Sequence, residues 1–248
     1  VVFDVGANIG AFSILASKVT GGEVSLFCFE PAPVSFAALT QNREHNRWFK
    51  QSQVELLQCA LTSPENAGTK AELFYFTKFP TDTTLDIADK RKEFSQFLSH
   101  YGTLYGDRIK ARVPGFLGQG MAAPLTYALC HLPSTKVGTK LADFLSGMKT
   151  FSCAQESLSG VARRFGVKKI DLLKVDVEGH EDQVLLGIDD STWANIGQVV
   201  LETHDRNGRL RDVRDLLGRY GLRKQTVVRP SIAVERGLDN VLIAARRD

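Results

Sequence analysis

The chain has 248 residues, of which 43% are hydrophobic and 24% charged, and its formal net charge is +3. These proportions are those of an ordinary globular protein with a sizeable core, built as one α/β domain with or without an insertion. A charge this small, without a basic block interleaved with aromatic residues, gives no support to nucleic-acid binding. No apolar run approaches the roughly 20 residues of a membrane-spanning helix, so we expect no membrane partner.

The cysteines indicate the cellular compartment of the protein, and the first residue indicates whether the chain is part of a longer one. The four cysteines are scattered, without Cys-x-x-Cys spacing, and Cys28 and Cys59 lie in apolar strand patterns. We therefore expect reduced core thiols and a cytoplasmic protein. The chain begins inside a predicted strand without an initiator Met, from which we expect a domain cut from a longer protein.

The chain opens with a predicted strand that turns through a glycine-rich loop into a helix. Residues 1–5 form an apolar run that carries Asp4 near its end, and residues 11–18 have the spacing of an amphipathic helix. Gly6 and Gly10 lie in the turn, where a residue without Cβ can adopt a positive φ and let a ligand approach the backbone. This local order is typical of nucleotide-binding α/β folds.

The loop departs from a dinucleotide-binding loop at one position. Asn8 stands where the Gly-x-Gly-x-x-Gly pattern has its second glycine, at the closest approach to a pyrophosphate. The carboxylate of Asp4 would repel a phosphate but suits a cationic ligand such as S-adenosylmethionine. Glu30 follows a second apolar run, 24–29, at the offset where an acid accepts ribose hydroxyls. A nicotinamide-dependent oxidoreductase is therefore less favoured than an enzyme that uses S-adenosylmethionine. The alternative to any ligand is that the glycine turn simply connects a strand to a helix.

Three more elements are predicted before residue 77. Pro31 and Pro33 open a helix that extends to about residue 46, since proline is tolerated in a first helical turn. Residues 54–61 are an apolar run typical of a third strand, and residues 71–76 alternate enough for an extra strand.

Residues 77–134 interrupt this α/β pattern. They hold four prolines and five glycines around one predicted helix at 86–101. A segment this long in a compact domain is usually functional or disordered. We expect it to be an insertion that caps the acceptor site of a single domain spanning 1–248, with a peripheral cap that has its own small core as the alternative.

From residue 137 the alternation of strands and helices returns. The patterns predict a short strand or turn at 140–145, a helix at 154–165, the most apolar strand of the chain at 170–177, a helix ending at 186, a strand at 199–204, a helix at 210–220, and two closing strands of an antiparallel hairpin at 223–228 and 240–245.

Three segments of the sequence resemble the FkbM family of S-adenosylmethionine-dependent methyltransferases. Residues 3–10 read FDVGANIG, residues 29–31 read FEP, and residues 171–181 read DLLKVDVEGHE. The resemblance implies the Rossmann-like class I fold, a seven-stranded and mostly parallel sheet with an antiparallel last strand. It also implies methyl transfer from S-adenosylmethionine, most often to a hydroxyl oxygen.

The resemblance implies a free-standing enzyme that acts on sugars or small molecules, as in natural-product biosynthesis, or a domain of a polyketide or peptide synthase. The resemblance therefore implies a small-molecule acceptor or one tethered to a carrier protein. The residues expected to bind the cofactor lie around the ends of the predicted strands: Asp4, Gly6, Asn8, Gly10, Glu30, Pro31 and Asp176.

Transfer to a hydroxyl requires a base, and two histidines follow neighbouring strands. His204 and Glu202 are two residues apart on a strand and point the same way, so the carboxylate can orient the imidazole. We favour His204 as the base. His180 is the alternative, and transfer driven by proximity and orientation alone is another.

A second mechanism uses Mg²⁺ to lower the pKa of the acceptor hydroxyl. Asp176 and Glu202, with Glu178, offer the carboxylate oxygens that Mg²⁺ prefers. Glu181 has a simpler explanation as an acid that complements a helix dipole, and Lys174 is expected to pair with one of these acids. A non-catalytic binding domain is the remaining alternative, which the density of ionisable groups disfavours because burying them is costly.

Overall fold

The computed structural model describes residues 1–77, 83–85, 87, 148–206, 208–231 and 239–248. The predicted short strand at 140–145 lies outside these residues, as do the predicted helix at 86–101 apart from residue 87 and most of the predicted insertion. The boundaries of that insertion stay a prediction.

The described residues alternate between strands and helices. The strands are β1 (Val2–Val5), β2 (Ser25–Phe29), β3 (Gln53–Leu57), β4 (Cys59–Leu61), β5 (Lys70–Phe76), β6 (Met148–Glu156), β7 (Leu172–Val175), β8 (Gln198–His204), β9 (Lys224–Val228) and β10 (Asn240–Arg246). The helices are α1 (Ala11–Val19), α2 (Pro33–His45), α3 (Arg47–Gln51), α4 (Leu158–Arg164), α5 (Glu181–Leu186), α6 (Asp190–Trp193) and α7 (Arg209–Arg219).

Seven strands form the main sheet, in the order β3-β2-β1-β7-β8-β10-β9. The first five are parallel, and β10 runs antiparallel to both of its neighbours. This confirms the predicted Rossmann-like sheet. Val5 pairs with Phe29 on one side and with Val175 on the other, so β1, β2 and β7 end at the same level. The loops that follow these three strands therefore meet at one edge of the sheet.

Helices pack on both faces of the main sheet. Successive side chains of a strand point to opposite faces, so both faces present apolar side chains that must be covered. Phe3 and Leu173 pack in the larger core, with apolar residues of α4, α5 and α7. Val2 and Leu26 face the other side, where Leu39 of α2 packs in a smaller core with residues of α1 and α3. The central strands are buried on both faces, which is why their sequences are continuous apolar runs.

A second sheet of three strands, in the order β4-β6-β5, corrects two predictions. The run at 54–61 is not one strand, since it divides at Gln58 into β3 of the main sheet and β4 of the small sheet. The helix predicted at 154–165 begins instead at Leu158, because residues up to Glu156 belong to β6. Ser157 starts the helix by accepting a hydrogen bond from the Gly160 N–H at 3.2 Å.

Strands β5 and β6 are antiparallel, with Phe76 opposite Met148. The chain between them therefore leaves and returns at one end of the small sheet. Thr84 pairs with Phe74 through two backbone hydrogen bonds of 2.9 and 3.1 Å, which keeps residues 83–85 against that sheet.

Two short helices that no apolar spacing predicts are stabilised by their caps. The Asn46 side chain accepts from the backbone N–H groups of Trp48 and Phe49 at the start of α3, and Asp189 accepts from Thr192 at the start of α6. The three described cysteines are free and buried, as predicted, and Cys130 lies outside the described residues. Within the described part of the chain, no helix has the length and apolar character to cross a membrane.

Candidate active site

A cavity lies where the carboxyl ends of β1, β2 and β7 face the small sheet. Leu61, Leu73 and Leu85 form part of its apolar wall. Residues expected to bind the cofactor or act on the acceptor supply much of the opposite side: Gly6, Asn8, Glu30, Pro31, Asp176, Glu178 and His180. The structure therefore brings together residues that are up to 174 positions apart in the sequence.

The glycine loop is fixed by backbone contacts to both neighbouring strands. The N–H groups of Gly6 and Ala7 both donate to the carbonyl oxygen of Phe29, at 3.0 and 2.9 Å. Gly6 has a φ of +76°, and a Cβ there would lie 1.8 Å from the carbonyl oxygen of Asp176. Glycine is needed at this position because the backbone after β7 comes so close, before any ligand is considered.

Gly10 has a packing role at the other end of the loop. Its φ is +90°, and a Cβ there would lie 2.7 Å from Leu39 of α2. Among the described residues that line the cavity, Gly10 is not included. Because residue 10 has no side chain, the start of α1 can pack against Leu39 of α2. A contact of Gly10 with a cofactor stays a prediction.

Glu30 lines the cavity at the end of β2 with its carboxylate held by two backbone groups. The N–H of Asn8 donates to Oε2 and the N–H of Ala32 donates to Oε1, both at 2.8 Å. The residue is only 6% exposed. Burial raises the pKa of Glu30 from 4.5 to about 7, although the two N–H groups work against this shift.

Asp4 lies beneath the loop rather than among the described cavity-lining residues. It is fully buried, and one of its oxygens accepts a hydrogen bond from the Ser13 hydroxyl at 2.6 Å. The Lys174 ammonium lies 3.2 Å from the other oxygen. Asp4 therefore supports the loop through Ser13 and Lys174, and its role as a carboxylate facing the ligand stays a prediction.

Lys174 connects the two sides of the site. Its ammonium donates to the carbonyl oxygen of Gly6 at 2.8 Å and lies 3.5 Å from the carboxylate of Asp176. It thereby joins the glycine loop on β1 to the cavity-lining acid on β7. Its expected pairing with an acid is observed twice, and its bond to the loop is a function that the sequence did not reveal.

One feature of the sequence could have indicated the contact between Lys174 and Asp4, namely a single charge in each of two apolar strands. Asp4 and Lys174 are each the one charged residue of a short apolar strand, and the two are direct neighbours in register. Opposite charges in adjacent buried strands are expected to pair, since an unpaired buried charge is costly. Only the strand order, with β1 beside β7, turns this signal into a contact.

His180 lies in the cavity lining, immediately before α5. The residues before it have unusual backbones, since Glu178 and Gly179 have φ values of 51° and 96°. These left-handed conformations turn the chain sharply after β7. The turn brings both Glu178 and His180 to the cavity.

The structure locates the other candidate base and its partner away from this lining. His204, at the end of β8, is 3% exposed, and Glu202 accepts a hydrogen bond from the Asn240 side chain at 2.7 Å. Neither residue is among the described cavity-lining residues. The Glu202 carboxylate is thus held by a residue of β10.

The expected metal ligands are not clustered. Across residues 1–77, 148–206 and the other described ranges, no group of three or more His, Cys, Asp or Glu side chains could hold a metal ion. The alternative in which Asp176, Glu178 and Glu202 bind Mg²⁺ therefore finds no support.

Comparison with known proteins identifies one family. Residues 129–224 match the family described as the methyltransferase FkbM domain. The chain is 34% identical over 252 residues to the 31-O-demethyl-FK506 methyltransferase FkbM of Streptomyces tacrolimicus, a match that covers 100% of this chain and 80% of that protein.

Two further relatives differ in how much of them the chain covers. The chain is 32% identical over 216 residues to the methyltransferase sdnD of Sordaria araneosa, covering 84% of this chain and 67% of the relative. It is 31% identical over 234 residues to the AMB antimetabolite synthetase AmbE of Pseudomonas aeruginosa, covering 89% of this chain and 9% of that protein. No solved structure matches the chain.

Proposed function

Because the chain belongs to the FkbM family of methyltransferases, we propose that it transfers a methyl group from S-adenosylmethionine to a hydroxyl oxygen. The observation that carries this proposal is the single cavity lined by Glu30, Asp176 and His180. Oxygen as the accepting atom is supported by the name of the relative that acts on 31-O-demethyl-FK506.

The proposed acceptor is a small molecule or an intermediate bound to a carrier. The apolar wall formed by Leu61, Leu73 and Leu85 suits the carbon skeleton of such a molecule. The match to a small part of a much longer synthetase supports the carrier-bound form.

The cavity fits S-adenosylmethionine in its charge and its hydrogen-bond acceptors. The carboxylate of Glu30 is held by the N–H groups of Asn8 and Ala32, which leaves its remaining lone pairs for the ribose hydroxyls. Asp176, whose side chain is 39% exposed, offers a second carboxylate to a cationic ligand. When bound, the cofactor supplies an electrophilic methyl group on its sulfonium.

His180 is the proposed base, in place of His204, which the strand spacing favoured. It lines the same cavity as Glu30 and Asp176, whereas His204 is buried at the end of β8. A neutral imidazole can accept the hydroxyl proton as the methyl group arrives. Lys174 and Asp4 hold the glycine loop while this occurs.

The test compares alanine variants of the two histidines. Methyl transfer is measured by mass spectrometry with hydroxylated acyl thioesters, sugars and phenols as acceptors. We expect His180→Ala to lower kcat by about 10²–10⁴-fold, the usual contribution of a positioned base. Calorimetry with S-adenosylmethionine should give an unchanged affinity, because the ribose acceptor Glu30 is intact.

The wild-type kcat should rise with pH and then level off, as expected when one group must lose its proton to act as the base. The opposite pattern, with transfer lost in His204→Ala and kept in His180→Ala, would assign the base to β8. Binding of NAD in place of S-adenosylmethionine would contradict the proposed cofactor.

A further inference from the structure

The turn between β7 and α5 adopts a conformation that its own sequence does not favour. Glu178 has a φ of 51°, in the left-handed region that non-glycine residues rarely occupy, and Gly179 follows at 96°. Such backbones persist only where surrounding contacts determine them, and they are found preferentially at functional sites. Both residues that flank Gly179 line the cavity.

Two side chains from outside this turn hold it in place. Glu181 Oε1 accepts the N–H of Gly179 at 2.9 Å, and the Thr84 hydroxyl donates to the carbonyl oxygen of Glu178 at 3.0 Å. Both contacts act on the one peptide group that joins Glu178 to Gly179. Glu181 binds its N–H, and Thr84 binds its carbonyl oxygen. The orientation of the Glu178 and His180 side chains follows from that plane.

Glu181 is buried more completely than an acid that only complements a helix dipole. It is 1% exposed, and burial is the largest influence on its pKa, which is raised. The nearby charges of His204 and Arg209 work against this shift. The Arg209 guanidinium lies 3.6 Å from Glu181 Oε2, and its other side forms a half-exposed ion pair with Asp182 at 2.8 Å. The carboxylate is thus anchored to the first residue of α7.

We propose that Glu181 is a positioning residue, which holds the Gly179 peptide so that His180 and Glu178 face the acceptor. This inference rests on the proposed function, since it assigns Glu181 a part in presenting the base. Glu181 acts only through the turn, and the described cavity lining does not include it.

The kinetic experiment compares three variants at the start of α5, with the acceptor panel above and S-adenosylmethionine. Glu181→Ala removes the acceptor for the Gly179 N–H, and we expect kcat to fall by about 10- to 100-fold, as for a catalytic group displaced by roughly 1 Å. The KM for S-adenosylmethionine should stay within about twofold, because binding of the cofactor is unaffected. Glu181→Gln keeps a carbonyl oxygen for the same bond and should recover most of kcat.

Asp182→Ala is the matched control. Asp182 lies in the same helical turn and pairs with the same arginine, but its side chain is 46% exposed. Its variant should retain the wild-type kcat. The inference is overturned if Glu181→Ala keeps the wild-type kcat, or if Asp182→Ala loses as much activity.

A second measurement tests the contact without using activity. Hydrogen exchange of the Gly179 amide should be faster in Glu181→Ala and remain slow in Glu181→Gln. If Glu181→Ala does not fold, Glu181→Gln decides, since a lost kcat with the Gly179 amide still protected would overturn the inference. If the wild type transfers no methyl group, the proposed function is wrong. The role of Glu181 is tested separately, and it is wrong if the Gly179 amide exchanges at the same rate in Glu181→Ala as in the wild type.

Discussion

Glu30 combines two opposing requirements in one side chain. The carboxyl is the stronger acceptor for ribose hydroxyls when it is ionised, yet burial raises its pKa from 4.5 to about 7. Because the folded-state pKa is raised, the stability that Glu30 contributes is present below about pH 4.5 and is lost as the pH rises to about 7. Protein stability and cofactor binding therefore depend on this group with opposite signs.

We predict that affinity for S-adenosylmethionine falls as the pH drops below about 7, the pKa of Glu30. The limiting slope is about tenfold per pH unit, because a single proton must leave before the carboxylate can accept the hydroxyls. Calorimetry in buffers of different ionisation enthalpy should detect proton release on binding. Glu30→Gln should bind more weakly and lose the pH dependence, and a Glu30→Gln variant with the wild-type slope would contradict the assignment.

Lys174 is the residue whose removal should affect both stability and binding. Asp4 is fully buried, and Lys174 is the cation that lies 3.2 Å from it. We expect Lys174→Met to cost about 3–5 kcal/mol in urea denaturation, since it leaves an uncompensated buried charge. S-adenosylmethionine affinity should also fall, because the bond to Gly6 is lost.

Two controls separate this pair from an ordinary ion pair. The double variant Asp4→Asn/Lys174→Met should recover part of the lost stability, because no buried charge then remains. Lys169→Met removes an exposed ion pair to Asp171, whose side chains are 70% and 50% exposed, and should change stability by less than about 1 kcal/mol. Equal losses for Lys169→Met and Lys174→Met would contradict the role given to the buried pair.

At the scale of the elements, the site depends on how closely the loop after β1 approaches the chain after β7. This approach is set by Gly6, where a Cβ would lie 1.8 Å from the backbone of Asp176. Backbone atoms cannot move aside as a flexible side chain can. The two loops can therefore meet only if residue 6 has no side chain.

We predict that Gly6→Ala abolishes cofactor binding and lowers the melting temperature far more than Gly68→Ala. Gly68 also has a positive φ, of +83°, but a Cβ there would meet no atom within 4 Å. Its variant should lose only the conformational cost of about 1–2 kcal/mol. Calorimetry and thermal unfolding of both variants measure the difference, and comparable losses would show that the contact with Asp176 is unimportant.

The sequence predicted elements whose signals are local and missed those that depend on distant contacts. The β1 loop and Glu30 were found because a glycine turn and an acid after an apolar run are readable in a short window. Strand β6 was missed because its exposed polar residues interrupt any apolar pattern. The division of residues 53–61 between two sheets was also unreadable, because both strands are apolar.

The choice between His180 and His204 shows the same limit at the site. Two-residue spacing correctly indicates that Glu202 and His204 share one face of β8, but it does not reveal what lies on that face. The cavity position of His180 depends on the left-handed turn, which Thr84 holds from 94 residues away. A contact of that kind follows from the assembled fold and from no local pattern.

At the scale of the whole molecule, the cavity is formed by the small sheet as well as by the main sheet. The main sheet provides the carboxyl ends of β1, β2 and β7, which carry the polar residues of the cavity. The small sheet provides Leu61 and Leu73, which close its apolar side. We therefore propose that the main-sheet side of the cavity, with its fixed charges, binds the cofactor. The small-sheet side then binds the acceptor and excludes water from the methyl transfer.

The most direct test of this account follows a labelled methyl group. The protein is incubated with S-adenosylmethionine that carries a trideuteromethyl group and with the hydroxylated acceptor panel, and products are fragmented by mass spectrometry. We predict a product heavier by one trideuteromethyl group on oxygen, formed by the wild type and by Asp182→Ala and nearly absent with His180→Ala. A label found on carbon or nitrogen, or the same yield from His180→Ala, would contradict the central claim that this cavity methylates a hydroxyl with His180 as base.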